Sequence, residues 1–393
     1  MKKRWKKILI WTAVVLVLIV AVVLIGAWRM FGTFVVAARS IHKLQDGLYV
    51  MEYRGDYGFD EFLAQGGAAD DSAVADYLIG FLSGGYYKKA DNEIKPGEFG
   101  CSTVCVKDKN GNVYFGRNFD WAKGRAMIVH TVPEDGYESL STCDLDFLGF
   151  GDDYTPDGSM QERIQTLAAI YVPLDGMNEK GLVVADLMAG DNEETHQKTD
   201  KPDLTTTTAI RLLLDRAANV DEAIELLNQY DMNSSIGAAH HFSLADATGK
   251  SVVVEYVNGE MLVAETNIVT NHYLADSPKK GVGSEQSHQR FDWLSRFGPD
   301  FVLGMSGDGQ YRWGPGFPFQ EVRALLASVA QSQYPQSDGD NDVTLWSIYY
   351  DPGNQQADFY FREDFKHGHR LFLLPEIKIK NKFISPTPVI YVD

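Results

Sequence analysis

Cysteine is scarce in this chain, and so are the patterns that announce a cofactor. Three cysteines in 393 residues cannot make a disulfide framework. No His-Glu-x-x-His and no Cys/His pattern with zinc spacing occurs; His240 and His241 are adjacent, His367 and His369 sit two apart, and both pairs read as core or surface histidines. Asp338, Asp340 and Asp342 begin like a calcium loop, but Val343 and Tyr349 stand where its Gly and Glu are required. A glycine-rich phosphate loop, a dinucleotide fingerprint and an internal repeat are all missing. No metal and no cofactor is expected. Basic patches are missing too, and a net charge of −18 repels nucleic acid.

What is present is enough apolar matter for a large core, with 45% hydrophobic and 12% aromatic residues. Met1 to Lys7 carries five positive charges, and Ile8 to Trp28 follows as 21 residues without a charge. As a helix that run spans a bilayer core of about 30 Å. It exceeds the apolar region of a cleaved signal peptide, and Trp28, Arg29, Met30 and Phe31 follow it in place of a small-residue cleavage site. The expectation is an uncleaved signal anchor with a cytoplasmic N-terminus, the remainder lying outside the cell membrane. The first 29 residues hold six basic and no acidic side chains, so the outer part carries 30 basic against 54 acidic groups, near −24. Its acidity argues for solubility.

The chemistry concentrates in Gly100 to Trp121, GCSTVCVKDKNGNVYFGRNFDW. Ser102 to Val106 reads as a strand, Lys107 to Asn112 as a turn with Asn110 and Gly111 at its tip, and Asn112 to Phe115 as the returning strand. The hairpin brings its outer ends together, so Arg117 and Asp120, 16 and 19 residues beyond Cys101, are expected beside its sulfur. A neighbouring guanidinium favours the reactive thiolate. The Asp120 carboxylate is placed to orient a base or hold an amino group. Were the bond before Cys101 cut, the freed α-amino group, with an ordinary pKa of roughly 7.7 to 8, would serve the thiol as a base.

In this order and spacing, Cys101, Arg117 and Asp120 within C-(x15)-R-N-x-D resemble the N-terminal nucleophile hydrolases of the choloylglycine hydrolase, penicillin V acylase and acid ceramidase group, the linear amide C–N hydrolases. The resemblance implies an α+β, four-layer αββα fold, here preceded by a single transmembrane helix, and a cysteine exposed by removal of everything before it. It also implies that the upstream segment stays associated after cleavage, as in the acid ceramidase branch. The turn at Asn178, Glu179 and Gly181 resembles one in the bile-salt hydrolases. Ten residues after the turn's Asn those enzymes place an asparagine near the oxyanion site; Met188 stands there in this chain. That departure argues against assuming bile-salt or penicillin V specificity and leaves part of the oxyanion hole to backbone N–H groups. Asn271, in NIVTNHYL, matches the family's oxyanion asparagine, a side-chain amide at a strand end that can donate to a tetrahedral intermediate. Arg290, in SHQRFDWLSRF, resembles the family's second arginine; its bland alternative is a helix-surface arginine paired with Asp292.

Around these residues the pattern predicts strand in Ser40 to Tyr53 and short helices at Phe59 to Ala64 and Ser72 to Phe81, the latter capped by Asp71 or Ser72. A polar linker, Lys88 to Gly97, follows. Helices are predicted at Thr205 to Ala218, at Glu222 to Tyr230 with Asp221 as cap, and at Phe319 to Val329. Strands are predicted at Ala126 to Thr131 and Leu182 to Leu187, in a meander from His240 to Ala264, and in a hairpin of Val343 to Tyr350 with Ala357 to Phe361; Arg370 to Leu374 adds one more. Glu376 to Asp393 reads as an extended tail. Cys105 shares a sheet face with Cys101 but lies too far along it for an easy bridge, so with Cys101 needed as thiolate a Cys105 to Cys143 pair is the one disulfide open to the chain.

The chain therefore divides into residues 1–30, a basic tip and anchor; 31–100, an upstream segment; and 101–393, a catalytic amidase domain. The expected activity is a membrane-anchored, extracytoplasmic cysteine amidase that hydrolyses an N-acyl amide through an acyl-enzyme, with catalytic residues Cys101, Arg117, Asp120, Asn271 and Arg290. Its expected partners are a small amphipathic N-acyl amide and the membrane. Acyl transfer to an amine, and an uncleaved inactive surface binding protein, are the competing readings.

Overall fold

The structure is a computed structural model. It describes residues 31–83, 100–297 (except 109, 122, 123, 152 and 192), 302–305, 311–314, 320–333, 343–373 and 390–392, with 5, 11, 12, 14 and 17 of the N-terminal run. Most of the apolar run 8–28, the linker at 88–97 and the acidic stretch 338–342 lie outside the described residues. Among the described residues no helix is long and apolar enough to cross a membrane.

Two sheets stack face to face. One has nine strands, in the order His42–Gln45, Leu48–Arg54, Ala126–Val132, Ser139–Asp144, Asp175–Asn178, Val183–Met188, His240–Ala245, Ser251–Val257 and Glu260–Glu265. The other has seven, in the order Ile268–Val269, Cys101–Lys107, Val113–Trp121, Val343–Asp351, Gln356–Phe361, His369–Phe372 and Ile390–Val392. Side chains alternate across a strand, so each sheet has two buried faces here. The inner faces meet in one apolar cluster: Val50, Ile128, Val183, Ala185 and Val253 of the first sheet against Cys101, Phe115, Trp346 and Phe359 of the second. On the outer face of the nine-stranded sheet, Val129, Val184, Phe242 and Val254 pack with Ile210 and Leu213 of the helix Thr206–Arg216 and Ala223 of the helix Val220–Leu227. On the outer face of the seven-stranded sheet, Val104, Val106 and Tyr349 pack with Leu294 of the helix Glu285–Phe297 and Val322, Leu325 and Leu326 of the helix Gln320–Ser328. Helix, sheet, sheet, helix is the αββα layering expected from the sequence.

Several local expectations shift. Thr205 caps the helix Thr206–Arg216 through a capping box with Thr208. Asn219, not Asp221, caps Val220–Leu227. Asp70 accepts the capping N–H of Ala73, while the Asp71 carboxylate is occupied by Ser235 and Ile236. The end of the C-terminal stretch is a strand, Ile390–Val392, paired with His369–Phe372. All three cysteines are free. Cys105 sits between the sheets and Cys143 beyond the nine-stranded sheet, so a full layer separates the two thiols expected to pair.

The upstream segment is built into the body of the protein. Leu48–Arg54 pairs in parallel with Ala126–Val132 along its whole length. Phe59, Phe62, Val74 and Leu78 of its helices join the outer core of the nine-stranded sheet. Cutting the chain before Cys101 would leave these contacts in place.

Candidate active site

Strand geometry assembles the site. Cys101–Lys107 and Val113–Trp121 pair antiparallel, with Cys101 opposite Phe119 and Thr103 opposite Arg117. Asp108 closes the hairpin turn by accepting the N–H groups of Asn110 and Asn112, and Gly111 takes φ +86°, a left-handed angle that glycine adopts without cost. The other neighbour of the nucleophile strand is Ile268–Val269, with Ile268 opposite Val104 and Val269 opposite Thr103. Extending that register by two residues sets Asn271 opposite Cys101.

The expected residues do converge, but on two faces of the sheet. Arg117 lies on the sulfur's face. Asp120, three positions on, points to the opposite face and flanks the peptide unit at Gly100. The hairpin argument placed both beside the sulfur; the two-residue period of a strand separates them.

On the inner face, the Arg117 guanidinium is fully buried and gives its charge to Asp175, 2.6 Å away. Its other arm donates to the Asp186 carbonyl at 2.5 Å, and its centre lies 4.9 Å from the Phe119 ring. Asp175 is held in turn by Thr142 at 2.6 Å, Tyr350 at 2.5 Å and Trp346 at 3.0 Å. A buried charge must be paired, and Asp175 is the partner that the sequence reading missed. Burial pushes the Cys101 thiol up to about 11, with Arg117 pulling the other way. In the uncleaved chain Arg117 favours the thiolate, as expected of a neighbouring guanidinium, but burial outweighs it.

A cleft opens at Cys101. Phe119, Trp121, Leu174 and Met188 supply apolar wall, and Asp186 and His240 a polar one. His240 Nδ1 lies 2.9 Å from Asp186 Oδ1, and its Nε2 lies 3.1 Å from the Ser235 carbonyl. Burial works against the imidazolium, but Asp186 more than offsets it and His240 titrates above its ordinary range. The sequence signal for this pair was a single carboxylate inside the apolar run Leu182 to Met188, and it went unused. His241 points the other way and meets the buried Glu255 at 3.2 Å.

The outer face handles backbone. The Cys101 N–H donates to Asn271 Oδ1 at 2.6 Å, and Asn271 Nδ2 donates to the Met188 carbonyl at 3.0 Å. Arg290 is fully buried, so it is no surface arginine paired with Asp292; it donates to the Cys101 carbonyl at 2.6 Å and to Asn271 Oδ1 at 2.9 Å. Asp120 Oδ1 accepts from Thr344 at 2.6 Å, while its Oδ2 lies 3.7 Å from Arg290. Burial pushes the Asp120 carboxyl up to about 7, with Arg290 and then the Thr344 hydroxyl pulling the other way. With the peptide bond before Cys101 intact, Asn271 thus acts as an acceptor toward the nucleophile's nitrogen, and its amide N–H is engaged by Met188. Among the described residues no group of three His, Cys, Asp or Glu side chains is arranged to hold a metal ion.

Two packed sheets between helical layers, with a cysteine heading an inner strand and an amide and a guanidinium on its backbone, define a mixed α/β architecture of αββα layering. Residues 101–279, beginning at that cysteine, match the family described as linear amide C–N hydrolases, choloylglycine hydrolase family. Over 99 residues, 23% of this chain, the sequence is 32% identical to penicillin V acylase of Pectobacterium atrosepticum, and the match spans 26% of that protein's length. Among solved structures, a conjugated bile acid hydrolase from Clostridium perfringens gives a TM-score of 0.43 at 16% identity, covering 66% of this chain and 89% of that one. Penicillin V acylase from Agrobacterium tumefaciens gives 0.39 at 19%, covering 66% and 83%. At such TM-scores neither bears on this chain's fold, which rests on its own layers.

Proposed function

We propose that this protein is a membrane-anchored, extracytoplasmic cysteine amidase, activated by cleavage of the Gly100–Cys101 bond, that hydrolyses linear N-acyl amides. The observation that carries the reading is the outer-face cluster around the Cys101 nitrogen, Asn271 Oδ1 at 2.6 Å with Arg290 behind it, at the residue where the family match begins. While the chain is whole, that nitrogen is an amide and cannot act as a base, and Cys101 is a buried thiol. Cleavage converts the amide to an α-amine, with an ordinary pKa of roughly 7.7 to 8, which takes the thiol proton as Sγ attacks the substrate carbonyl and returns it to the leaving amine. Asp120 holds the amine, Arg117 offsets charge on the sulfur, and Asn271, once released from the peptide N–H, turns its amide to the oxyanion. Water then hydrolyses the thioester.

The apolar wall of the cleft suits an amphipathic acyl group, and the uncharged run Ile8 to Trp28 behind five basic residues supports the anchor. Penicillin V and conjugated bile acids, named in the relatives' titles, belong in the first substrate panel together with simpler N-acyl amides. The test is intact mass and turnover on one preparation. The expected result is a fragment starting at Cys101 and release of amine from at least one N-acyl amide. A folded chain that stays full length with Cys101 resistant to alkylation would sink the reading and favour a binding protein.

A further inference from the structure

Beside the outer-face cluster, Gly100 sits in a tight spot. A methyl carbon placed on it would lie 2.9 Å from Asp120 Oδ2, 2.9 Å from Gln331 Oε1 and 3.2 Å from an Arg290 nitrogen. Real carbon atoms do not approach oxygen that closely without displacement. Gln331 is 1% exposed, and neither its Oε1 nor its Nε2 has a hydrogen-bond partner among the described residues; the same holds for Asp120 Oδ2. Leaving a buried amide without a hydrogen bond costs free energy, and Asp120 Oδ2 has the 3.7 Å ion pair with Arg290 in place of one. One hydroxyl ties the two residues together through other atoms: the Gln331 backbone N–H donates to Thr344 Oγ1 at 2.8 Å, and Thr344 Oγ1 donates to Asp120 Oδ1 at 2.6 Å. The result is a buried polar wall against the Gly100 α-carbon.

We propose that Gln331, together with Asp120, packs against the α-carbon of Gly100, disfavours any side chain at this position and keeps this peptide unit in place for attack by Cys101 Sγ. This inference rests on the reading of cleavage before Cys101 and adds a positioning residue and a residue requirement to it. In the step so positioned, Sγ adds to the Gly100 carbonyl carbon, the thiol proton passes to the Cys101 nitrogen, and the carbon–nitrogen bond breaks to leave Gly100 as a thioester. Water hydrolyses that thioester, restoring the thiol and releasing a Gly100 carboxylate.

The test follows cleavage of the full chain made by cell-free translation, by gel and intact mass over time, with limited proteolysis as the check on folding. Gln331→Met keeps the volume and removes the polar atoms; Gln331→Glu keeps the volume and an acceptor. Loss of positioning is expected to slow cleavage by about tenfold or more in Gln331→Met and in Gly100→Ala, with Gln331→Glu within about threefold of the wild type. A residue that merely filled space would give the reverse order, since a buried carboxylate is costlier than a thioether. Gln331→Met cleaving at the wild-type rate, or Gln331→Glu as slow as Gln331→Met, overturns the proposal. Should Gln331→Met lack a protease-resistant core, Gly100→Ala decides alone, wild-type cleavage there being fatal. An uncleaved wild type instead condemns the underlying reading, and an uncleaved Cys101→Ala beside a cleaved wild type upholds it.

Discussion

The two faces of the nucleophile strand solve different problems with the same kind of residue. Each buries one arginine completely. On the inner face Arg117 is spent on Asp175, and what remains of its field is too small to ionise a thiol walled by Phe119 and Trp346. On the outer face Arg290 lies 3.7 Å from the Asp120 carboxylate and makes closer bonds to the Cys101 carbonyl and Asn271. A guanidinium near a cysteine therefore does not by itself make a thiolate. Burial, partner and face decide what the charge is used for.

Cys101→Ala is expected to break the inner face alone. It removes the sulfur while keeping the N–H to Asn271, and both cleavage before residue 101 and turnover of N-acyl amides should fall by at least about 10³-fold. Mass and amine release measure it; retained turnover ends the assignment. Next in size is Asp175→Asn, which keeps the shape and leaves the Arg117 charge buried without its counterion. A loss of about 3 to 5 kcal/mol is expected by urea unfolding. A loss below about 1 kcal/mol would mean that Arg117 finds another counter-charge and that the two arginines are alike after all.

Asn271→Ala probes the outer face. As oxyanion donor in the cleaved enzyme it should cost about 10² to 10³ in kcat, with KM little changed. Should only cleavage slow while kcat of cleaved molecules holds, Asn271 serves the nitrogen of Cys101 and the oxyanion is stabilised by other donors.

Much of this could be read from the sequence, because the informative residues are local. Cys101, Arg117 and Asp120 belong to one hairpin, and Asn271 follows a β-branched pair that becomes the adjoining edge strand. What the sequence hid are contacts made at long range. Asp175 reaches Arg117 across the sheet interface from 58 positions away, and Gln331 reaches Gly100 through a short helical turn after the helix Gln320–Ser328. Neither has periodicity or a motif around it; each is legible only once the layers stack. The misplacement of Asp120 was different, since the two-residue alternation that separates 117 from 120 is visible in the sequence itself.

That alternation gives the finest test of the comparison, through pH. Burial raises the folded-state pKa of Asp120 to about 7, against an ordinary value of about 3.9 in the unfolded chain. Between those values the folded protein keeps a proton that the unfolded chain releases. Stability from this group is then greatest below about pH 4, falls as pH rises to about 7, and is flat above. Asp144, pushed by burial up to about 8, acts in the same direction, so the diagnostic quantity is the difference between two variants. With Cys101→Ala as background, so that the chain stays whole, adding Asp120→Asn should remove about 1.4 kcal/mol of the decline between pH 5 and pH 6. Parallel urea curves for the two proteins at both pH values would mean that Asp120 is ionised when folded. The outer face would then hold a carboxylate stabilised by Arg290, as the inner face holds Asp175 against Arg117, and the contrast between the two arginines would disappear.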